Sequence, residues 1–139
     1  MRQHQETLDL RTRGRGLHDV TDRVRACVAR AGVATGLCVV FCPHTSASLL
    51  IQENASPDAA RDLLAWLERL APDGDPRYAH DAEGPDDMAA HLRSAVTRSS
   101  ESIPVVRGAL ALGTWQGLFL VEHRTAPHAR TLHVHVMGT

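Results

Sequence analysis

Between Tyr78 and Ser94 the chain reads YAHDAEGPDDMAAHLRS, which places Tyr78, His80, Asp81, Glu83, Asp86, Asp87 and His91 within fourteen residues. These are the side chains of general acids, general bases and metal ligands. Gly84 and Pro85 signal a turn, and Pro85, Asp86 and Asp87 read as a helix start, because carboxylates there complement exposed N–H groups and the positive end of the helix dipole. His91 follows Asp87 by four residues, so the two share a helical face about 5–6 Å apart at Cβ. A carboxylate beside an imidazole holds its tautomer and raises its basicity, which serves a general base or a metal ligand. His80, in the preceding loop, can fold back to the same place. The plainer reading is a capped helix carrying a surface pair.

Two further stretches carry candidate chemistry. In PHTSASLLIQEN, from Pro43, the hydroxyls of Thr45, Ser46 and Ser48 can bind a phosphate together with turn N–H groups, with His44 as acid or charge partner. Asn54 closes the segment as a cap or a binding residue. Local turn chemistry alone would also explain the hydroxyls. In GTWQG, Gly113 to Gly117, a tight backbone presents the ring of Trp115 and the amide of Gln116, as a pocket wall for a planar ligand needs. The strand that follows ends in Glu122, His123 and Arg124, and strand alternation points Glu122 and Arg124 to one face and His123 to the other.

The elements that must position these groups are legible as a run of strands and helices. Gln3 to Thr12 alternates around Leu8 and Leu10 as a first strand, ending at a Gly14 and Gly16 loop. Val20, Val24, Cys27, Val28 and Ala31 mark an amphipathic helix stopped by Gly32. Gly36 to Cys42 is a buried strand, joined by a turn to a neighbouring strand around Leu49 to Ile51. Ser56 and Pro57 open a helix with Ala60, Leu63, Leu64, Leu67 and Leu70 on its packing face. The helix bearing His91 is expected to bury Met88, Leu92, Ala95 and Val96. Ile103 to Val106 and Ala109 to Leu112 are short strands, and Leu132, Val134 and Val136 alternate with His133 and His135 in a last strand.

A chain of 139 residues with 15 basic and 16 acidic side chains fits one domain, residues 1–139, and gives no bulk electrostatic reason to expect a nucleic acid or membrane partner. Every basic residue is arginine, which removes Schiff-base lysine chemistry and the lysine-bearing P-loop. Cys27, Cys38 and Cys42 form no CxxC pair and read as buried free thiols, and no apolar leader is apparent, so a cytoplasmic location is expected.

HTSASL at His44 to Leu49 with Glu53 and Asn54, YxHDxEGxDDMxxHxxS at Tyr78 to Ser94, and GTWQG followed by EHR at Gly113 to Arg124 together resemble the YjbQ-like family, small proteins described as secondary thiamine-phosphate synthases. The resemblance spans nearly the whole chain. It implies an α+β fold of two packed, mainly antiparallel β-sheets with flanking helices, a homotrimer, and motif residues gathered in a cavity. It also implies an activity that joins a hydroxymethylpyrimidine diphosphate to a thiazole phosphate and releases pyrophosphate. That activity would ask Arg124, Thr45 and Ser46, or a divalent ion on Asp86 and Asp87, to hold the pyrophosphate, Trp115 to wall the pyrimidine, and His44 or His91 to act as base, with Asp87 and Glu122 as the further catalytic residues. Alternatively a zinc or magnesium ion sits on His80 and His91 with a carboxylate or His123. A metal-dependent hydrolase of a phosphorylated metabolite, or a trimeric protein that only binds one, are the competing expectations.

Overall fold

A computed structural model describes residues 1–139. The chain runs β1 (Arg2–Arg11), β2 (Gly16–Asp19), α1 (Thr21–Ala31), β3 (Thr35–Phe41), β4 (Ala47–Glu53), α2 (Pro57–Leu70), α3 (Asp87–Val96), β5 (Ser100–Val106), β6 (Ala109–Leu110), β7 (Gln116–Glu122) and β8 (Ala129–Gly138). The strands form two antiparallel sheets, a five-stranded one in the order β1-β8-β3-β5-β6 and a three-stranded one in the order β2-β7-β4. The α+β class and the two-sheet, single-domain architecture expected from the sequence are present.

Alternation decides which sides meet. Leu8 of β1, Cys38 and Val40 of β3, and Leu132, Val134 and Val136 of β8 share the inner face of the large sheet, opposite Leu49, Leu118 and Leu120 of the small one, and α1 adds Val24, Cys27 and Val28. All belong to one buried cluster of 19 residues. Gly36 and Gly138 face each other where β3 meets β8, and a Cβ on Gly36 would lie 2.0 Å from the Met137 carbonyl oxygen, so no other residue fits. Helix α1 ends as expected on Gly32, at φ 66°.

Five expectations need correction. β3 and β4 are not neighbours: the chain crosses from one sheet to the other through Cys42–Ser46, because both strands bury a face in the same core from opposite sides. The Gly14–Gly16 region is not only a loop, since Gly16–Asp19 pairs with Phe119–Glu122 as β2, a strand too short to show a period. Helix α3 turns Val96 out and buries Asp87, Ala89, Ala90 and Arg93 instead, the alanines permitting close approach and the charged pair finding partners described below. Strand β6 covers only Ala109–Leu110. Ser56 caps α2 by accepting from the Asp58 N–H, yet of its apolar face Leu67 is buried whereas Leu70 is half exposed. No helix is long and apolar enough to cross a membrane.

Candidate metal centre

The site is built where α3 begins. Gly84, at φ 106°, turns the acidic loop so that Asp86 and Asp87 both face the chain leaving β7. Arg124 spans them: its Nε donates to Asp86 Oδ2 at 3.0 Å, its Nη1 to Asp87 Oδ1 at 2.9 Å, and its Nη2 to the Glu83 carbonyl at 3.0 Å. Asp86 Oδ2 also accepts from the N–H and the hydroxyl of Thr125. Burial alone raises the Asp86 carboxyl, but the Thr125 N–H and the Arg124 guanidinium outweigh it and hold it at about 2. Asp86 is thus a structural anchor with its donors already supplied.

Asp87 differs, because Arg124 takes only one of its oxygens. The other, Oδ2, lies 2.8 Å from His80 Nε2 and 3.2 Å from His91 Nε2. Burial raises the Asp87 carboxyl, and the His80 hydrogen bond with the charges of His91 and Arg124 brings it below the usual carboxylate range. The two rings stand 5.3 Å apart between centroids. All three candidate ligand atoms fall within 4.8 Å of one another, on residues that grade from exposed His80 through half-buried His91 to buried Asp87.

Proton placement at His91 is fixed by its other nitrogen. Nδ1 lies 2.9 Å from the carbonyl oxygen of Thr45, an acceptor only, so Nδ1 carries the hydrogen. The neutral ring then aims the Nε2 lone pair at a carboxylate oxygen, a repulsive contact unless a positive ion stands between them. That ion is either a proton or a metal. An outer partner on the far ring nitrogen and a clamped carboxylate are the usual supports of a metal ligand set.

Two hollows adjoin the trio. One of about 320 Å³ opens on the His80 side, lined by Asp75, Tyr78, His80, Asp81 and Met88 among others. The second, about 430 Å³ and more open, is bordered by Thr45, His91, Ser94 and Ala95.

The remaining candidates lie elsewhere. His44 Nε2 accepts from the Thr131 N–H at 2.9 Å, and burial with the Arg130 charge lowers its pKa. Ser46 Oγ accepts from Arg130, so of the hydroxyl stretch only Thr45 borders the trio. His123 is buried outside it, with Nε2 bonded to Ser48 Oγ at 2.8 Å, and its pKa is pushed down to about 3 by burial and by Arg93. Ser48 Oγ in turn accepts from Thr97 at 2.6 Å. Glu122 is fully buried against Arg130, its Oε2 2.5 Å from Arg130 Nη2, with the Thr12 hydroxyl on Oε1 at 2.7 Å. Burial raises that carboxyl, but Arg130 and Thr12 win and lower it. Glu122 and Arg124, read to one side of their strand, therefore serve two different networks, because the ladder ends at Glu122 and the chain turns away.

Asn54, Gly113, Trp115 and Gln116 gather at the opposite end of the small sheet. The β4–β7 ladder runs from Ala47 opposite Glu122 to Glu53 opposite Gln116, roughly 20 Å along the strand. There the Gln116 side-chain oxygen accepts from the Gly113 N–H at 2.8 Å, and the Asn54 N–H donates to the Trp115 carbonyl at 3.0 Å, so amide and glycines serve the turn itself. Trp115 is 65% exposed.

Arg130, Thr12, Arg93 and Asp73 were missed by sequence reasoning. Arg130 had a signal, since it shares the inward parity of Leu132, Val134 and Val136; so did Thr12, which continues Leu8 and Leu10. Arg93, buried with Nη2 on the Ala71 carbonyl and Asp73, had none.

Residues 6–139 match the protein family described as UPF0047 protein YjbQ-like. A UPF0047 protein of Synechocystis is 56% identical over 137 residues, covering 99% of this chain and 93% of that one. The YjbQ protein of Escherichia coli O157:H7 is 38% identical over 97% of this chain and 98% of its own. Among solved structures, a YjbQ/UPF0047 family protein of Clostridium acetobutylicum superimposes with a TM-score of 0.88 at 37% identity, over 95% of this chain and 99% of that one. A YbjQ-like protein of unknown function from Sulfolobus solfataricus gives 0.87 at 25% identity over 99% of both. These names state a family without an activity.

Proposed function

This chain belongs to the UPF0047 YjbQ-like family, and we propose that it is a metal-dependent enzyme that hydrolyses a small phosphorylated metabolite at His80, Asp87 and His91. The observation that carries the reading is the 3.2 Å approach of His91 Nε2 to Asp87 Oδ2 while His91 Nδ1 is committed to the Thr45 carbonyl. Two imidazoles and one carboxylate suit zinc or a similar transition ion better than magnesium. Three protein ligands with open space beside them are the pattern of a catalytic rather than a structural site. Such an ion supplies an activated water and a Lewis acid for a phosphoryl oxygen.

The chain's own residues do the rest. Arg124 and the Thr45 carbonyl orient the carboxylate and the imidazole before any ligand arrives. Arg124 uses three of its five N–H donors on Asp86, Asp87 and the Glu83 carbonyl, so the grip on a phosphate falls to the ion, to the Thr45 hydroxyl and to the two guanidinium N–H groups that remain. A homotrimer in the cytoplasm is part of this reading.

The coupling of a pyrimidine diphosphate to a thiazole phosphate is the second reading, favoured by the bare, rigidly mounted ring of Trp115. In one chain that ring stands at the far end of the β4–β7 ladder, so the coupling needs another subunit to bring it to the trio. One assay separates the readings. Metal-stripped protein is supplied with zinc, manganese or magnesium and given a panel of phosphate monoesters or the pyrimidine–thiazole pair. Zinc-dependent release of phosphate from a monoester supports the hydrolase, and release of pyrophosphate with the pair supports the coupling. Thermal stabilisation by a phosphorylated compound without any product would sink both and leave a binding protein.

A further inference from the structure

The hollow on the His80 side is formed by a single segment, since every residue that lines it lies between Gly74 and Met88. Two hydrogen bonds hold this loop in shape: the Gly74 N–H donates to the Pro85 carbonyl at 2.8 Å, and the Tyr78 hydroxyl donates to the Pro72 carbonyl at 2.8 Å. Asp73 fastens the loop to the rest of the molecule by accepting from Arg15 at 2.9 Å and from Arg93 at 3.0 Å. A hollow inside a clamped loop has its shape before a ligand arrives, and about 320 Å³ is the small end of the range for ligand pockets.

His80 joins the hollow to the trio. It lines the hollow while its Nε2 lies 2.8 Å from Asp87 Oδ2, so a molecule whose phosphate sits on an ion at His80, Asp87 and His91 has its organic end beside this space. Charge decides what that end can be. Arg77 is the only arginine between Gly74 and Met88, and it is committed to Asp75. Its backbone N–H and Nε donate to Asp75 Oδ1 at 2.9 and 3.0 Å, and its Nη2 to Oδ2 at 2.6 Å. That pair is neutral as a unit, which leaves Asp81 as the free charge on the wall: it is exposed and takes no part in the ion pairs of the loop, Arg77–Asp75 and His80–Asp87. The surroundings of Asp81 are the aromatic side chain of Tyr78, with its hydroxyl already donated, the thioether of Met88, and prolines. One unpaired carboxylate beside an aromatic ring and soft apolar walls is the chemistry that holds an alkylammonium group. A second phosphate or a carboxylate would face Asp81 with no cation to pair with.

We propose that this hollow selects the substrate by taking the ammonium end of a phosphorylated amino alcohol, with Asp81 as the residue that recognises the positive charge. For the phosphate end the inference rests on the hydrolase reading above. Hydrolysis of such an ester joins the oxygen of water to phosphorus, breaks the ester P–O bond and returns a proton to the alcohol oxygen, so the free amino alcohol is left in the hollow.

The test uses the zinc-loaded full chain and three esters of similar size: 2-aminoethyl phosphate, 2-hydroxyethyl phosphate and carboxymethyl phosphate. Wild type should favour the aminoethyl over the hydroxyethyl ester by about tenfold in kcat/KM, with the carboxymethyl ester slowest. In Asp81→Asn the ratio of the first two should fall to near one whatever the absolute rates, and Asp81→Glu should keep most of it. Equal use of the amine and the alcohol by wild type overturns the proposal, and a preference that survives Asp81→Asn overturns the role of Asp81. A second measurement needs no turnover. The metal-free chain, labelled with 13C at the methyl groups of its 3 methionines, is titrated with ethylammonium and, separately, with ethanol. The Met88 signal should move with ethylammonium alone, and should stay in place in Asp81→Asn. Should none of the three esters be hydrolysed, the hydrolase reading fails by itself and this titration decides the hollow: a shift with ethylammonium alone supports the cation site, whereas no shift, or an equal one with ethanol, overturns it.

Discussion

His91 and Asp87 meet across one helical turn at 3.2 Å, with the imidazole hydrogen pinned on the opposite side of the ring by the Thr45 carbonyl. A lone pair facing a carboxylate oxygen is a place for a cation, and His80 Nε2 at 2.8 Å from the same oxygen makes it a three-ligand place.

The first expectation concerns metal content. Purified protein should carry about one transition ion per chain, and His91→Ala and His80→Ala should each weaken zinc binding by roughly a hundredfold or more while remaining folded. Competitive titration against a chromogenic chelator measures this. Unchanged affinity in both variants would show that the ion between His91 and Asp87 is a proton.

Arg124→Gln should act on stability and on metal together. It leaves two buried carboxylates without their guanidinium, a loss of about 3 kcal/mol in urea unfolding. It also frees Asp87 Oδ1, so the carboxylate loses its fixed orientation and zinc affinity should fall about 10- to 100-fold. A variant with wild-type metal affinity would show that the clamp serves the fold alone.

How much of this was legible depends on whether neighbours in sequence were also neighbours in space. The Asp87–His91 pair follows from helical spacing, and His80 needed only a short loop to reach it. Strand parity likewise found the inner residues of β8. What could not be read was which strands share a sheet: Thr45, Ser46 and Ser48 lie at a crossing between sheets, so the Thr45 carbonyl meets His91, the Ser46 hydroxyl meets Arg130 and the Ser48 hydroxyl meets His123. The same geometry separates GTWQG from the trio, because a motif at the start of β7 and another at its end are held a full strand apart. The burial of α3 was misread because its inner face carries Asp87 and Arg93, charges whose partners come from distant segments.

Trp115→Ala should leave zinc affinity and unfolding free energy within about 0.5 kcal/mol of wild type, since an exposed ring with no partner in its own chain stabilises little. Gln116→Ala should cost about 1 kcal/mol by removing the hydrogen bond that closes the turn on the Gly113 N–H, which water then takes up. Isothermal titration and urea unfolding of both variants test the split, and loss of zinc in Trp115→Ala would place the ring at the metal through a neighbouring subunit.

Acid should find His123 before it finds the carboxylates. The ring is buried and neutral, accepting from Ser48 Oγ, with its pKa pushed down to about 3 by burial and by the Arg93 charge, whereas an unfolded histidine titrates near 6.5. Between those values the unfolded chain binds the proton that the folded chain refuses, so stability contributed by this group is complete above about pH 6.5 and declines as pH falls towards 3. Asp86, held at about 2, adds its loss only below about pH 4. Unfolding free energy measured from pH 7.5 to 4.5 should therefore fall by a few kcal/mol, and His123→Gln, which keeps a side chain able to accept from Ser48, should flatten that slope while starting from a lower stability at pH 7.5. An equally steep slope in the variant would move the acid sensitivity to His44, whose pKa is also lowered by burial and by the Arg130 charge, and His44→Gln would be the next substitution to measure.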